Sequence, residues 1–220
     1  MGTDAPMATA TDILTLTQWF SPAYPVGAFA YSHGLEWAID VGDVATAVQT
    51  RAWIEEVLRH GAGWNDSLFL AAAYRAEAED LQEIDATARA FAASSERLKE
   101  TRLQGEAFCD VTAKVWSTDL AGLTYPVAVG RAARLEDLPL ELTTQFYLVA
   151  FVSNLAAVAM RLVPLGQTDG QKLIRDLTPL CTQIAEEARR ASLDDLTSTS
   201  FLGDIAAMKH ETQYSRIFRT

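Results

Sequence analysis

Three histidines, two cysteines and a few clusters of carboxylates are the residues with which this 220-residue chain could do chemistry. His33, His60 and His210 lie far apart, and none has a second histidine four residues away, so no two-histidine metal clamp is encoded. Cys109 and Cys181 form no Cys-x-x-Cys, which removes the common structural zinc patterns. Both sit in apolar, helix-like surroundings and are expected to be buried free thiols in a reducing, cytoplasmic compartment. No Gly-x-x-x-x-Gly-Lys-Ser/Thr is present to cradle nucleotide phosphates, and no strand precedes a dinucleotide fingerprint. His33 reads as a solvated or capping histidine that begins a helix. Asp194-Asp195 read as helix-start acids, and Glu77, Glu79, Asp80 and Glu83 as a solvated face. Acid–base catalysis would have to recruit Glu36, His33 or His210, and the spacing pairs none of them. The expectation is a protein without catalysis, metal site or cofactor.

What remains are three segments suited to contact. The first is the end of the chain, residues 209–220, where Lys209, Arg216 and Arg219 face one acid, Glu211. With His210 neutral the tail carries +2, leaving −13 on the rest of a chain whose net charge is −11. Tyr214, Arg216 and Phe218 are residue types that anchor interfaces, so this is read as a partner-binding tail rather than a frayed end. The second is an ordered loop from Phe20 to Tyr31, in which Pro22, Pro25 and Gly27 alternate with apolar Tyr24, Val26 and Phe29. The third is a compact loop from Pro164 to Gln171 that includes Gly166 and Gln167. Ordering such loops costs backbone entropy, and function tends to sit on loops placed by a rigid scaffold.

The scaffold that must place them is helical. A short helix carrying Leu16 and Trp19 has to stop before Pro22. Ser32 is expected to cap a helix over 33–41 that Gly42 ends. Asp43 is expected to cap a longer helix with Val44, Val48, Ile54, Val57 and Leu58 on one face, closed by Gly61 and Gly63. Asn65-Asp-Ser67 opens a helix over 68–78, and another follows over 81–93. Ser94-Ser95 starts a long one carrying Leu98, Phe108 and Val115. Tyr125-Pro126 marks a turn before a short helix over 127–133. Pro139 begins the most apolar helix, which ends near Val163-Pro164. Leu173, Leu177, Leu180, Cys181, Ile184 and Ala188 form one stripe that keeps phase across Pro179, which predicts a kink rather than a break. Ser200 is placed to cap a last helix over 201–209. Sustained two-residue alternation is missing, so the pattern predicts one all-α domain, a bundle of about nine or ten helices over 12–208.

Composition sets the outer bounds. Hydrophobic residues make up 49% and charged residues 21%, an ordinary folded balance. A charge of −11 argues against nucleic acid as partner. The apolar region 140–163 is broken by Glu141, Gln145, Asn154 and Arg161, so it reads as a buried helix rather than a membrane span. Residues 1–11 are small and polar and are expected to be a flexible start without a leader pattern.

Three stretches, in order, resemble one family. Ser21-Pro-Ala-Tyr-Pro-Val-Gly-Ala-Phe-Ala-Tyr-Ser-His-Gly-Leu-Glu36 resembles the N-terminal signature of the urease accessory protein UreF family. Arg161-Leu-Val-Pro-Leu-Gly-Gln-Thr-Asp-Gly-Gln171 resembles its central motif, and Asp204 to Thr220 its C-terminal signature. Tyr125-Pro-Val-Ala-Val-Gly130 also fits. Ala28 stands where the family often has a second glycine, and Thr220 where it often ends in serine. The resemblance implies an all-helical homodimer without activity of its own, which joins a UreD/UreH-type protein and recruits the GTPase UreG. That assembly would deliver nickel to apo-urease. It implies further that the tail orders against the UreD/UreH partner, that Arg216 holds it in place, and that Tyr31 and Arg161 lie near the GTPase-facing surface.

Overall fold

The computed structural model describes residues 8–219. Ten α-helices occur among them: α1 (Ala10–Trp19), α2 (Leu35–Asp40), α3 (Ala47–His60), α4 (Ala62–Arg75), α5 (Leu81–Ala90), α6 (Ser95–Trp116), α7 (Tyr125–Leu135), α8 (Leu140–Leu162), α9 (Gln167–Ala188) and α10 (Phe201–His210). Single 3-10 turns cover Ala28–Ala30, Ala78–Asp80 and Leu193–Asp195, and no strand forms among the described residues. The chain is an all-α bundle.

Its axis is α8. By length and composition α8 could cross a membrane, yet Tyr147, Leu148, Val152, Leu155 and Ala159 are buried against the helices around it. The helix α9 folds back along it after a turn at Val163–Gly166, and the apolar stripe of α9 is buried as its spacing predicts. Pro179 does not interrupt α9; it is exposed, so the Arg175 carbonyl that loses its amide donor lies on the solvated side. Two glycines admit a close backbone neighbour. A Cβ at Gly130 of α7 would sit 2.2 Å from the Leu70 carbonyl oxygen of α4, and one at Gly105 of α6 would sit 2.1 Å from that of Leu123.

Several boundaries differ from the sequence reading. Ala10 and Thr11, placed in a flexible start, belong to α1, whose Thr9 forms a capping box with Asp12; residues 1–7 of that start lie outside the described residues. Thr46, not Asp43, caps α3, because its hydroxyl accepts the Gln49 amide, and Val48 faces solvent. Gly61 is the N-cap of α4 and Gly63 lies inside that helix. Tyr125 and Pro126 form the first turn of α7, where proline's missing N–H costs nothing. The loop at 164–171 is shorter than expected: Gly166 is the N-cap of α9 and Gln167 its first residue. Pro164 remains in the exposed turn. Pro22 and Pro25 lie in exposed turns, and Gly27 adopts the left-handed conformation (φ 71°) that opens the 3-10 turn.

Candidate functional site

His33 departs most from its sequence reading. It begins no helix; it takes a left-handed backbone (φ 52°), as does Gly34 (φ 76°), and α2 starts only at Leu35. Two successive left-handed residues turn the chain so that neighbouring side chains point to different parts of the molecule. His33 points inward. Its Nε2 lies 3.1 Å from Glu100 Oε1, and its ring packs on Phe151 with centroids 4.6 Å apart. Gly34 lies against α10, where a Cβ would sit 2.6 Å from the Ala207 nitrogen.

Glu100 belongs to a buried charge network. Arg97 donates to both oxygens of Asp66, at 2.8 and 2.6 Å, and Tyr147 donates its hydroxyl to Asp66 at 2.6 Å. Arg97 Nη1 also lies 3.3 Å from Glu100 Oε2, an ion pair without hydrogen-bond alignment. Burial pushes the Glu100 carboxyl up, but His33 and Arg97 beside it pull it further down, to below its ordinary value. Two cavities flank the network. One, of about 400 Å³, is lined by Phe20, Tyr24, Phe29 and Phe146; the other, of about 160 Å³, lies under α10.

Glu36 points the other way, to the end of the chain. Its carboxylate is buried and accepts the backbone amides of Ile217 (2.7 Å) and Phe218 (2.9 Å), and its Oε2 lies 3.0 Å from His210 Nε2. His210, fully buried, places its other ring nitrogen 2.7 Å from Glu96 Oε2. Arg216 donates to the second oxygen of Glu96, so one carboxylate of α6 holds two residues of the tail. Glu211 accepts from the Ser95 amide and hydroxyl, each at 2.8 Å, and caps the start of α6 from outside. The Ser95 hydroxyl holds the Glu211 carboxyl below its ordinary value.

The last described residues close the clasp. Phe218 is 5% exposed and joins the core, with the Arg161 guanidinium 5.7 Å from its ring centroid. The Arg219 amide donates to the Ala30 carbonyl at 2.7 Å, and its side chain donates to the Tyr31 hydroxyl. Burial pushes the Tyr31 phenol up. The residues singled out from sequence thus divide. Tyr31, His210 and Phe218 are buried in the clasp; Glu211 and Arg216 tie it down; Lys209, Tyr214 and Arg161 are exposed. A tail expected to order against a partner is ordered here on its own chain, and Thr220 lies outside the described residues.

Glu96 carries no signal in the sequence, where Glu36 has no partner by spacing. Space supplies the pairs that spacing lacked, Glu36 with His210 and His33 with Glu100. The first pair lines neither cavity, and two backbone amides of the tail already occupy the Glu36 carboxylate. Among the described residues no three His, Cys, Asp or Glu side chains are grouped to hold a metal ion. Cys109 and Cys181 are buried and free, their thiols pushed up by burial to about 11 and about 12.

Outward of the clasp, α10 exposes Phe201, Leu202, Ile205 and Met208, and the tail adds Tyr214 and Ile217. An apolar strip of this kind rimmed by charge is the usual mark of an interaction surface.

Comparison with known proteins gives the same answer as the motifs. The UreF family model matches residues 44–178. The urease accessory protein UreF of Ruegeria pomeroyi is 69% identical over 217 residues, spanning 97% of this chain and 100% of that protein. That of Roseobacter denitrificans is 54% identical over 220 residues, spanning 100% and 96%. A Rhodopseudomonas palustris UreF is 47% identical over 218 residues, spanning 93% and 92%. With a core built around α8, a C-terminal clasp on Glu36 and Glu96, and relatives this similar over nearly its whole length, the chain belongs to the UreF family of urease accessory proteins.

Proposed function

We propose that this protein is a non-catalytic urease maturation factor that works by presenting its clasped tail and the outer face of α10 to other proteins. Its partners are a UreD/UreH-type accessory protein and a UreG-type GTPase, whose recruitment and cycle it regulates so that nickel reaches apo-urease. It acts in the cytoplasm as a homodimer. The observation that carries this reading is the contrast within the C-terminal segment. Glu36, Glu96 and the core hold Phe218, His210 and Arg216 on the inside, while Tyr214, Ile217, Phe201, Leu202 and Ile205 are left to solvent on the outside. Aromatic and aliphatic groups fixed on a rigid support lose little freedom on docking, and that favours affinity.

Nickel, in this reading, is cargo passed through a path that partners complete, because a tight nickel site would call for grouped imidazole or thiolate ligands. The test is capture of a UreD/UreH-type protein by the full chain and by a chain ending at Met208, with urease activation in cells as the second readout. Loss of both on truncation supports the reading. Undiminished capture and activation would remove the tail from the mechanism.

A further inference from the structure

The smaller cavity lies beneath α10, and its charges are unbalanced. Asp66, Glu100 and Asp204 contribute three carboxylates to its lining, against the single guanidinium of Arg97, so with its histidines neutral it is formally −2. Asp66 and Glu100 are engaged by Arg97. Asp204, half-buried in the first turn of α10, makes no ion pair among the described residues, and burial holds its carboxyl above the ordinary value. Ser200 gives an independent sign of a missing partner. It is 1% exposed and stands at the N-cap of α10, yet its hydroxyl neither caps the helix nor meets any other polar group. Ser200 is among the residues that line the same cavity. A buried hydroxyl without a partner is costly, as is a half-buried carboxylate without a counter-charge.

Phe91 and Met208, both exposed, are among the residues that line the cavity, and Met208 continues along α10 into the exposed strip of Phe201, Leu202 and Ile205. A volume of about 160 Å³ matches roughly five waters at about 30 Å³ each, enough for the end of a long side chain. The partial positive charge of the α10 N-terminus opposes a cation, but at about half an elementary charge it is smaller than the formal −2 around it.

We propose that this cavity receives a basic side chain, lysine or arginine, of a protein docked on the outer face of α10, with the Asp204 carboxylate as its counter-ion and the Ser200 hydroxyl as acceptor. The inference rests on the reading above that α10 is a docking face. It adds the chemistry by which that face selects its partner: an apolar segment bearing one cation. The strip of apolar side chains leading away from Met208 is what assigns the cation to a protein rather than to a free amine.

The experiment uses the full chain labelled at its methionine methyls, with the Met208 signal assigned by Met208→Leu. It is titrated with n-butylammonium as surrogate for a lysine end, and with n-butyrate as the anion of similar size. Butylammonium is expected to move the Met208 methyl saturably with a midpoint on the order of 10 mM, and butyrate is not. Asp204→Asn, in a protein of unchanged melting temperature, is expected to raise the midpoint about tenfold, and Ser200→Ala about threefold. The proposal is overturned if butylammonium gives no saturable shift, if butyrate shifts the signal equally, or if Asp204→Asn leaves the midpoint where it was. A chain that fails this titration but still activates urease retains its family role and loses only this site.

Discussion

Replacing Glu36 with alanine should release the C-terminal tail while leaving the helical core intact. The carboxylate makes three contacts, with the Ile217 amide, the Phe218 amide and His210, and the last two are buried. A hydrogen bond to a charged acceptor contributes about 1.5–3 kcal/mol, but three that share one carboxylate do not add. Leaving two tail amides without their acceptor costs about 1–3 kcal/mol each, which puts the expected loss near 4 kcal/mol. At about 1.4 kcal/mol per decade, the docked-to-undocked ratio should fall by roughly 10²- to 10³-fold. Part of the loss comes from α2, where Glu36 sits in the first turn, but that contribution is about 0.3–1 kcal/mol and does not dominate. Hydrogen exchange at individual amides reads the effect directly. Protection at Ile217 and Phe218 should fall by that factor, while Leu148 and Leu155 in α8 keep theirs. Glu36→Gln should fall between, because its amide oxygen still accepts one N–H while its NH₂ faces a donor. If the two tail amides of Glu36→Ala exchanged as slowly as in the parent, the clasp would owe nothing to Glu36 and the argument would fail.

Three further perturbations probe the same architecture. Arg216→Ala removes the guanidinium from Glu96 and leaves it only the His210 ring, and should weaken binding of a UreD/UreH-type protein by about 1–3 kcal/mol, measured by isothermal titration; parental affinity would contradict it. Gly34→Ala combines a left-handed backbone with a Cβ 2.6 Å from the Ala207 nitrogen, so it should detach α10 and cost about 3 kcal/mol or more in urea unfolding, whereas Gly42→Ala, with open space around it, should cost about 1 kcal/mol. Glu100 carries a lowered carboxyl value in the folded state, so its contribution is present above about pH 4.5 and drains away as pH falls through the folded value, because the unfolded chain takes up the proton first. Glu100→Gln should therefore flatten the dependence of stability on pH below 4.5 in urea titrations, and an unchanged slope would show that the network does not act through this group.

Legibility from sequence followed the range of the interactions involved. The long helices α6, α8 and α9 could be read because their apolar spacing is local and sustained, and Ser94 was a correct cap because its hydroxyl needs only the Arg97 amide three residues on. The cap of α3 is Thr46 rather than the expected Asp43, because the Thr46 hydroxyl stands where it can accept the Gln49 amide and meet the Gln49 side chain. Gly63 looked like a helix terminator, yet it is there because a Cβ would lie 2.7 Å from the Leu58 α-carbon. The tail was legible as basic and aromatic, but not as self-docked. Nothing within it indicates that its amides will find Glu36 or that its Arg216 will find Glu96, because those partners come from α2 and α6. His33 was misread for the same reason: its partner Glu100 is on α6, and its left-handed backbone has no signature beyond the glycine that follows.

The segment from Gly27 to Glu36 explains why a tail so near the end of a chain can hold a defined position. The Ala30 carbonyl and the Tyr31 hydroxyl bind Arg219, His33 binds the core network, Gly34 admits α10, and Glu36 binds Ile217, Phe218 and His210. One short stretch therefore touches the core on one side and the tail on the other, and the turn at His33-Gly34 fixes the angle between them. A tail held by apolar contact alone could slide by a residue at little cost, since burial is not directional. Here a slip would leave the Glu36 carboxylate buried without its two amides and Glu96 facing the wrong cation. The penalty for a buried, unmatched charge is several kcal/mol. The charges in the clasp therefore act mainly to fix register: they set which side chains of the tail face inward, and so which ones, Tyr214 and Ile217, are offered to a partner.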